Sequence, residues 1–227
     1  MFCPCSFSTF LNALLTVFFP KFCTYCSLFT HQLRSSTLCF SCYEQIKPIA
    51  PITIPLTRTK QITIIAASAY QEPIKSLILA KSYSDYGASK KLGKLIVDCT
   101  PITQLSFDYI IPIPLHWKRY ASRGYNQADS MASIIALHLQ IPVIQLLTRT
   151  RNNPFQSSLP IEQRSNNVAA IFHLKSKDTK WYHKNFLLVD DLVTTQATIK
   201  SAAKTLLPLK PRSITVVTAA RANIRST

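Results

Sequence analysis

Two groups of residues in this 227-residue chain have types and spacings that can do chemistry. The first is the strip Phe186-Leu-Leu-Val-Asp190-Asp191-Leu-Val-Thr194-Thr195-Gln196-Ala197-Thr198. Four apolar residues, 186–189, read as a buried strand that delivers two adjacent carboxylates to its end. Residues 197–207 follow as a helix with Ile199, Ala202, Ala203 and Leu206 in one stripe. The carboxyl edge of the sheet is where α/β proteins bind ligands. A helix N-terminus with free N–H groups, flanked by the hydroxyls of Thr194, Thr195 and Thr198, suits an anion, best a phosphate monoester. The carboxylates of Asp190 and Asp191 repel that phosphate but accept hydrogen bonds from vicinal sugar hydroxyls. Together the strip reads as a cradle for a ribose 5-phosphate. Two other readings fit the same residues. One is a solvated strand end with a threonine-rich helix cap. The other is a phosphoacceptor-type acidic site, which needs a second acidic cluster and a downstream strand-end Lys that the sequence does not place.

The second group is Cys23-x2-Cys26, a twelve-residue spacer, and Cys39-x2-Cys42. Each short turn presents two sulfurs to a common point, so two such turns can hold one Zn²⁺ tetrahedrally. A site filled by four thiolates is structural, because no position is left for substrate. Redox pairs and two disulfides are the alternatives. The first favours a helix start in a βαβ context and the second an exported protein. Cys3 and Cys5 have no partner motif, and Cys99 reads as a small buried residue.

The elements that position these groups follow from hydrophobic period. Residues 62–69, 109–113, 142–147 and 214–219 read as strands. Residues 72–82, 86–98 and 127–139 read as helices. This alternation predicts an α/β fold on a mainly parallel sheet. Pro48, Pro51 and Pro55 mark residues 51–61 as an extended linker. Phe7, Phe10, Leu11, Leu14, Leu15 and Phe18 share one helical face, with Ser8 as a cap and Pro20 as the stop, which predicts a short amphipathic helix docking on the protein, with attachment to a membrane surface as the alternative. No Lys or Arg precedes it and no small-residue cleavage site follows, so it is not read as a signal peptide. With no apolar run of membrane-spanning length, a cytoplasmic location is expected.

Composition narrows the function classes. The chain has 26 Lys+Arg against 10 Asp+Glu, a formal charge of +16, which attracts polyanions. Its only glycines are Gly87, Gly93 and Gly124, so glycine-rich nucleotide loops are excluded.

The acidic strip resembles the phosphoribosyl pyrophosphate (PRPP) motif of type I phosphoribosyltransferases. Further blocks narrow the resemblance to the ComF family, which includes ComFC and GntX-like proteins. They are Ile111-Pro-Ile-Pro-Leu-His116, Arg123-Gly-Tyr-Asn-Gln-Ala128, and Leu147-x-Arg149-x-Arg151 with Gln156 and Leu159. Arg164-x-x-Asn167-Val168 ending at Phe172, and Thr218-Ala-Ala-Arg221, complete them. The paired cysteine knuckles and the N-terminal amphipathic helix belong to the same pattern, which covers nearly the whole chain.

The resemblance implies a type I phosphoribosyltransferase fold over residues 62–227, with the helix and a zinc ribbon in residues 1–50. It implies that Asp190 and Asp191 bind the ribose hydroxyls and that Thr194, Thr195, Gln196, Ala197 and Thr198 hold the 5-phosphate. Lys118, Arg119 and Arg123 fall in the pyrophosphate loop, where Arg123 is the strongest candidate because a guanidinium grips phosphate oxygens bidentately. Residues 148–168 match a hood loop whose Arg149, Arg151 and Arg164 reach the pyrophosphate or the acceptor. Mg²⁺ would arrive with PRPP, held mostly by its oxygens and water. Gln196 stands where the motif carries glycine, so Gln196→Gly is expected to tighten PRPP binding if the loop needs a positive φ. The implied function is transfer of ribosyl 5-phosphate with release of pyrophosphate, linked to DNA uptake in natural competence. A second reading is a non-catalytic protein that handles single-stranded nucleic acid through its zinc ribbon and basic surface. Tyr25, Phe40 and Tyr43 would then stack on bases, and the PRPP site would act as regulator.

Overall fold

Residues 61–69 run Gln-Ile-Thr-Ile-Ile-Ala-Ala-Ser-Ala and residues 213–221 run Ser-Ile-Thr-Val-Val-Thr-Ala-Ala-Arg. Such continuous β-branched and small runs suit strands covered on both faces. In the computed structural model, which describes residues 22–29, 38–80, 86–115, 120–121, 124–149 and 171–222, they are the interior strands of the main sheet. In chain order the elements begin with α1 (Phe40–Glu44), β1 (Ile52–Pro55), β2 (Gln61–Ala69), α2 (Ile74–Ala80), α3 (Tyr86–Cys99) and β3 (Tyr109–Pro112). They continue with α4 (Gln127–Leu139), β4 (Leu147–Arg149), β5 (Phe172–Leu174), β6 (Asn185–Val193), α5 (Gln196–Leu206) and β7 (Ser213–Arg221). The five-stranded sheet has the order β1-β2-β7-β6-β3. Strands β2, β7, β6 and β3 are parallel, and β1 runs antiparallel to β2. Strands β4 and β5 form a separate antiparallel pair. This is the mixed α/β fold on a mainly parallel sheet that the sequence predicts.

Period 2 sorts the strand side chains onto two faces. Ile65, Leu187, Val189 and Val217 pack with Leu77, Leu92, Leu95, Met131 and Ile135 of α2, α3 and α4. Ile64, Phe186, Leu188 and Val216 pack with Ile199, Ala202 and Leu206 of α5. The sheet is therefore the middle layer of three. The buried Cys23, Leu38, Cys39 and Cys42 belong to the α2–α4 cluster, so the cysteine knuckles share the main core.

Three local features differ from the sequence reading. The stretch taken as linker, 51–61, holds β1 and the turn into β2, with Pro55 paired to Gln61. Proline lacks an N–H but is tolerated on an edge strand. Residues 142–147 contribute only an isolated bridge from Val143 to Ile110 and the first residue of β4. The second cysteine pair, read as a short turn, opens a helix, with Cys39 as N-cap and Cys42 inside α1. The N-terminal helix expected over residues 8–19 lies outside the described residues. Among the described residues no helix is long and apolar enough to cross a membrane.

Helices α3 and α4 meet at Gly93. A Cβ there would lie 3.0 Å from both Cα and the carbonyl oxygen of Met131, and 3.1 Å from Cβ of Ile134. Alanine gains up to about 1 kcal/mol of helix propensity, but overpacking against a helix backbone costs about 1–3 kcal/mol. Gly93→Ala is therefore expected to lower the urea midpoint. An unchanged or raised midpoint would show that α3 and α4 separate freely.

Candidate functional site

Strand β3 leads into α4 on one face of the sheet, whereas β6 leads into α5 on the other. Adjacent parallel strands whose following helices diverge open a crevice at their carboxyl ends, and α/β proteins place ligands there. By that rule the ligand position falls at the carboxyl ends of β3 and β6, where the acid pair stands.

The sequence reading ends the strand at Val189, but β6 continues through both carboxylates to Val193. Asp190 is in register with Thr218 of β7, and its Oδ1 accepts the N–H of Asp191 at 2.8 Å. A side chain that bonds the next backbone amide competes with regular ladder geometry. The alternation of faces slips at this point: Val189 and Leu192 both pack on the α2–α4 side, and Val193 packs on the α5 side. Both carboxylates are half-buried.

Thr195 is the N-cap of α5, with φ −125° and ψ 154°, yet its hydroxyl makes no capping bond. The first turn of an α-helix leaves its N–H groups without intrahelical partners. Those of α5 begin at Gln196, beside the exposed Thr194, Thr195 and Ala197 and the half-buried Thr198. Gln196 is the first helical residue. It is absent from the non-glycine residues with positive φ, which among the described residues are Ser27, Gln140, His183 and Lys210. The torsional reason for expecting glycine to tighten the loop is therefore removed.

The β3 side is built by Asn126. Ile113 N donates to Val189 O at 2.9 Å, which ties the middle of the Pro-x-Pro segment to the residue before Asp190. Asn126 Nδ2 donates to Ile113 O at 3.2 Å, and its Oδ1 accepts Ala128 N at 3.3 Å. One buried side chain thus caps α4 and bridges the base of the connection between residues 113 and 126. The sequence alone places Asn126 only within the Arg123–Ala128 block.

Among the basic candidates, Lys118, Arg119, Arg123, Arg151 and Arg164 lie outside the described residues. Arg149 was expected within the irregular hood segment. It instead ends β4, in register with Phe172 of β5, with its guanidinium carbon 5.4 Å from the centroid of the Phe172 ring. Arg221 was quoted in a motif but given no role. It sits at the end of β7 in register with Val193, donates to Ala50 O at 3.1 Å, and is held below its ordinary pKa by burial.

The cysteine ligand atoms of Cys23, Cys26, Cys39 and Cys42 all lie within 4.8 Å of one another, with Cys26 Sγ and Cys39 Sγ 3.8 Å apart. A tetrahedron with Zn–S bonds of about 2.3 Å has S···S edges of about 3.8 Å, so the donor set fits zinc. The first knuckle is a tight turn, closed by Ser27 N to Cys23 O at 2.9 Å and Cys23 N to Leu28 O at 3.0 Å. Burial opposes ionisation of Cys23, but backbone amides of Cys26, Cys39 and Tyr25 outweigh it and bring that thiol down to about 6. Burial and the neighbouring thiols push Cys42 up. A dication at the centre would remove that repulsion. The cluster is joined to the main domain by Tyr43, whose Oη lies 3.5 Å from Cys99 Sγ.

No protein-family model matches the chain. Competence protein F of Haemophilus influenzae is 31% identical over 160 residues, which cover 67% of this chain and 70% of that protein. The chain belongs to the ComF family. Competence protein ComFC of Bacillus subtilis is 27% identical to this ComF-family chain over 194 residues, 75% of the chain and 78% of the relative. The DNA utilization protein YhgH of Escherichia coli K12 is 32% identical over 102 residues. The match spans 44% of this chain and less than half, 43%, of YhgH. Among solved structures, the chain is similar to the glutamine PRPP amidotransferase of B. subtilis, with a TM-score of 0.42 and 17% identity, over 59% of this chain and 26% of that one. It is also similar to adenine phosphoribosyltransferase of Saccharomyces cerevisiae, with a TM-score of 0.36 and 15% identity, over 74% and 83% of the two chains.

Proposed function

We propose that this ComF-family chain binds PRPP in the crevice between β3 and β6 and transfers its ribosyl 5-phosphate to a nucleophile, in a process linked to DNA uptake. The observation that carries the reading is the junction of three features at one sheet edge: the Asp190–Asp191 pair, the uncapped N-terminus of α5 and the connection fastened by Asn126. On this reading Asp190 and Asp191 accept hydrogen bonds from the 2- and 3-hydroxyls, and the loop 194–198 takes the 5-phosphate. The pyrophosphate would be bound by Lys118, Arg119 and Arg123 of the segment between residues 113 and 126, with Arg151 and Arg164 of the segment after β4 as further candidates. Mg²⁺ would accompany the pyrophosphate and neutralise part of its charge, needing few protein ligands. The nucleophile forms a bond to C1 of the ribose as the C1–O bond to pyrophosphate breaks, and the electron pair leaves with pyrophosphate. Positioning and electrostatic stabilisation of the charge that develops at C1 supply most of the acceleration.

The test is calorimetric titration with PRPP and Mg²⁺, followed by a screen of acceptors for pyrophosphate release. No heat of binding from zinc-loaded protein would overturn the reading. Arg123→Ala is expected to weaken PRPP more than ribose 5-phosphate, because one charge-assisted contact of about 1.5–3 kcal/mol is lost only from the ligand that carries pyrophosphate. Equal losses for both ligands would make Arg123 structural. Gln196→Gly is expected to leave PRPP affinity unchanged or lower it slightly, since glycine at a helix start with ordinary torsions only loosens the backbone. Tighter binding would show that the loop takes a positive φ once PRPP is present.

A further inference from the structure

A cleft opens where the cysteine knuckle meets the main domain. Tyr43 of α1, Ile46 and Pro48 line it from the knuckle side, and Ala67 of β2 with Asp98 and Cys99 of α3 line it from the other. It holds about 390 Å³, within the range of about 300–1,000 Å³ typical of small-molecule sites. Residues 98–104 lead from α3 into β3, so the cleft stands at the amino end of the sheet. The proposed PRPP site is at the carboxyl ends of the strands, and the two readings are independent.

The walls divide by chemistry. Ile46, Pro48, Ala67 and the Tyr43 ring offer apolar surface, and the polar groups gather at the end of α3. Tyr43 Oη lies 3.5 Å from Cys99 Sγ. Burial raises the Cys99 thiol, the bond to Tyr43 opposes this, and the Asp98 charge adds to the rise. The thiol therefore stays protonated and neutral. Among the described lining residues only Asp98 carries a charge. It sits in the last turn of α3, where the helix end adds partial negative charge. Its ion pair among the described residues is with Lys94, at 4.0 Å through Oδ1, and Lys94 Nζ is closer to His138 Nε2, at 3.3 Å. So long a contact leaves the carboxylate able to accept a further donor.

We propose that this cleft binds a small organic cation, an amidinium, guanidinium or amine carried on an apolar body, with its charge at Asp98 and its body against Tyr43 and Ile46. The ring of a tyrosine attracts a cation as well as an apolar group. A phosphate or carboxylate would meet the Asp98 charge and the negative end of α3. A hard divalent ion would need several oxygen ligands, and the apolar walls supply none. A chain of charge +16 repels cations in general, so a cation held here is held by local contacts and not by the overall field. The bound cation would touch the knuckle and the main domain together and stabilise their junction by linkage.

The experiment is methyl NMR of the full zinc-loaded chain, labelled at isoleucine and alanine methyls and titrated with benzamidine. Benzamide and benzoate serve as its neutral and anionic counterparts. Benzamidine is expected to shift the methyls of Ile46 and Ala67 through its ring current, saturably, with a Kd on the order of 1 mM for so small a ligand. Benzamide should bind about tenfold more weakly, and benzoate should shift neither methyl. Asp98→Asn should weaken benzamidine about tenfold, the loss of one charge-assisted contact, and leave benzamide unchanged. Asp178→Asn, which removes an acid paired with Lys180 and not lining the cleft, should change neither. Equal affinities for benzamidine and benzamide would overturn the proposal. So would saturable shifts that bypass Ile46 and Ala67, or an Asp98→Asn variant that binds benzamidine like the parent. Gln104→Lys brings a competing cation to an exposed wall of the cleft. It should also weaken benzamidine selectively, which gives the same decision if Asp98→Asn does not fold.

Discussion

The Asp190→Asn/Asp191→Asn variant is expected to give no heat of binding with PRPP and Mg²⁺ at concentrations that saturate the parent. On the proposed reading each carboxylate accepts a hydroxyl hydrogen bond worth about 1.5–3 kcal/mol as a charged acceptor. Loss of two such bonds is about 3–6 kcal/mol, roughly a hundredfold to ten-thousandfold in affinity. The fold should survive. Asparagine keeps an Oδ1 that can accept the amide of residue 191 as Asp190 Oδ1 does at 2.8 Å, and neither position is fully buried. The variant should therefore unfold near the parent's midpoint and still bind zinc. Undiminished PRPP affinity would place the sugar elsewhere and leave the acid pair as a solvated strand end.

Protein purified under reducing conditions should contain close to one zinc per chain, and Cys39→Ser/Cys42→Ser should contain none. The sulfur geometry motivates the first number, and the thiolate's role as ligand the second. The loss should reach beyond the knuckle. Cys23, Leu38, Cys39 and Cys42 are buried in the same cluster as α2, α3 and α4, and Tyr43 contacts Cys99 at the end of α3. Structural zinc contributes about 10–16 kcal/mol to small zinc-dependent folds. Even a fraction of that, transmitted through a shared core, should lower the thermal midpoint by several degrees. Zinc content unaffected by the double substitution would remove the assignment. A zinc-free variant with the parent's midpoint would show instead that the knuckle is an independent appendage.

The long elements were legible because period and length agree. The apolar run at 186–189, the stripe of α5 and the helix at Gln127–Leu139 were each readable from local sequence. The missed elements depend on partners distant in sequence. Strands β4 and β5 have three residues each, too few for a period, and they pair Leu147 with Leu174. Strand β1 is flanked by prolines that signal a linker unless it is known to be an edge. Helix α1 has five residues, so Cys39 gave no sign of being an N-cap. The candidate site divides the same way. The acids and threonines were visible as a motif. The hydrogen bond from Asn126 to Ile113, thirteen residues apart, could not be read locally. The stacking of Arg149 on Phe172 was hidden because it requires the β4–β5 pairing.

The lengths of the main-sheet strands have a consequence for how copies of the chain meet. Strands β2, β6 and β7 have nine residues each, whereas the outer strands β1 and β3 have four. Both outer strands end in proline, Pro55 and Pro112, and β1 follows Pro51. A four-residue edge offers few unpaired backbone groups, and a proline removes one donor from that row. The sheet is thus a poor template for a further strand, whether from another copy or from a partly unfolded chain. Aggregation by edge-to-edge growth is blocked at the borders of the sheet, while its aggregation-prone β-branched sequences stay in the interior.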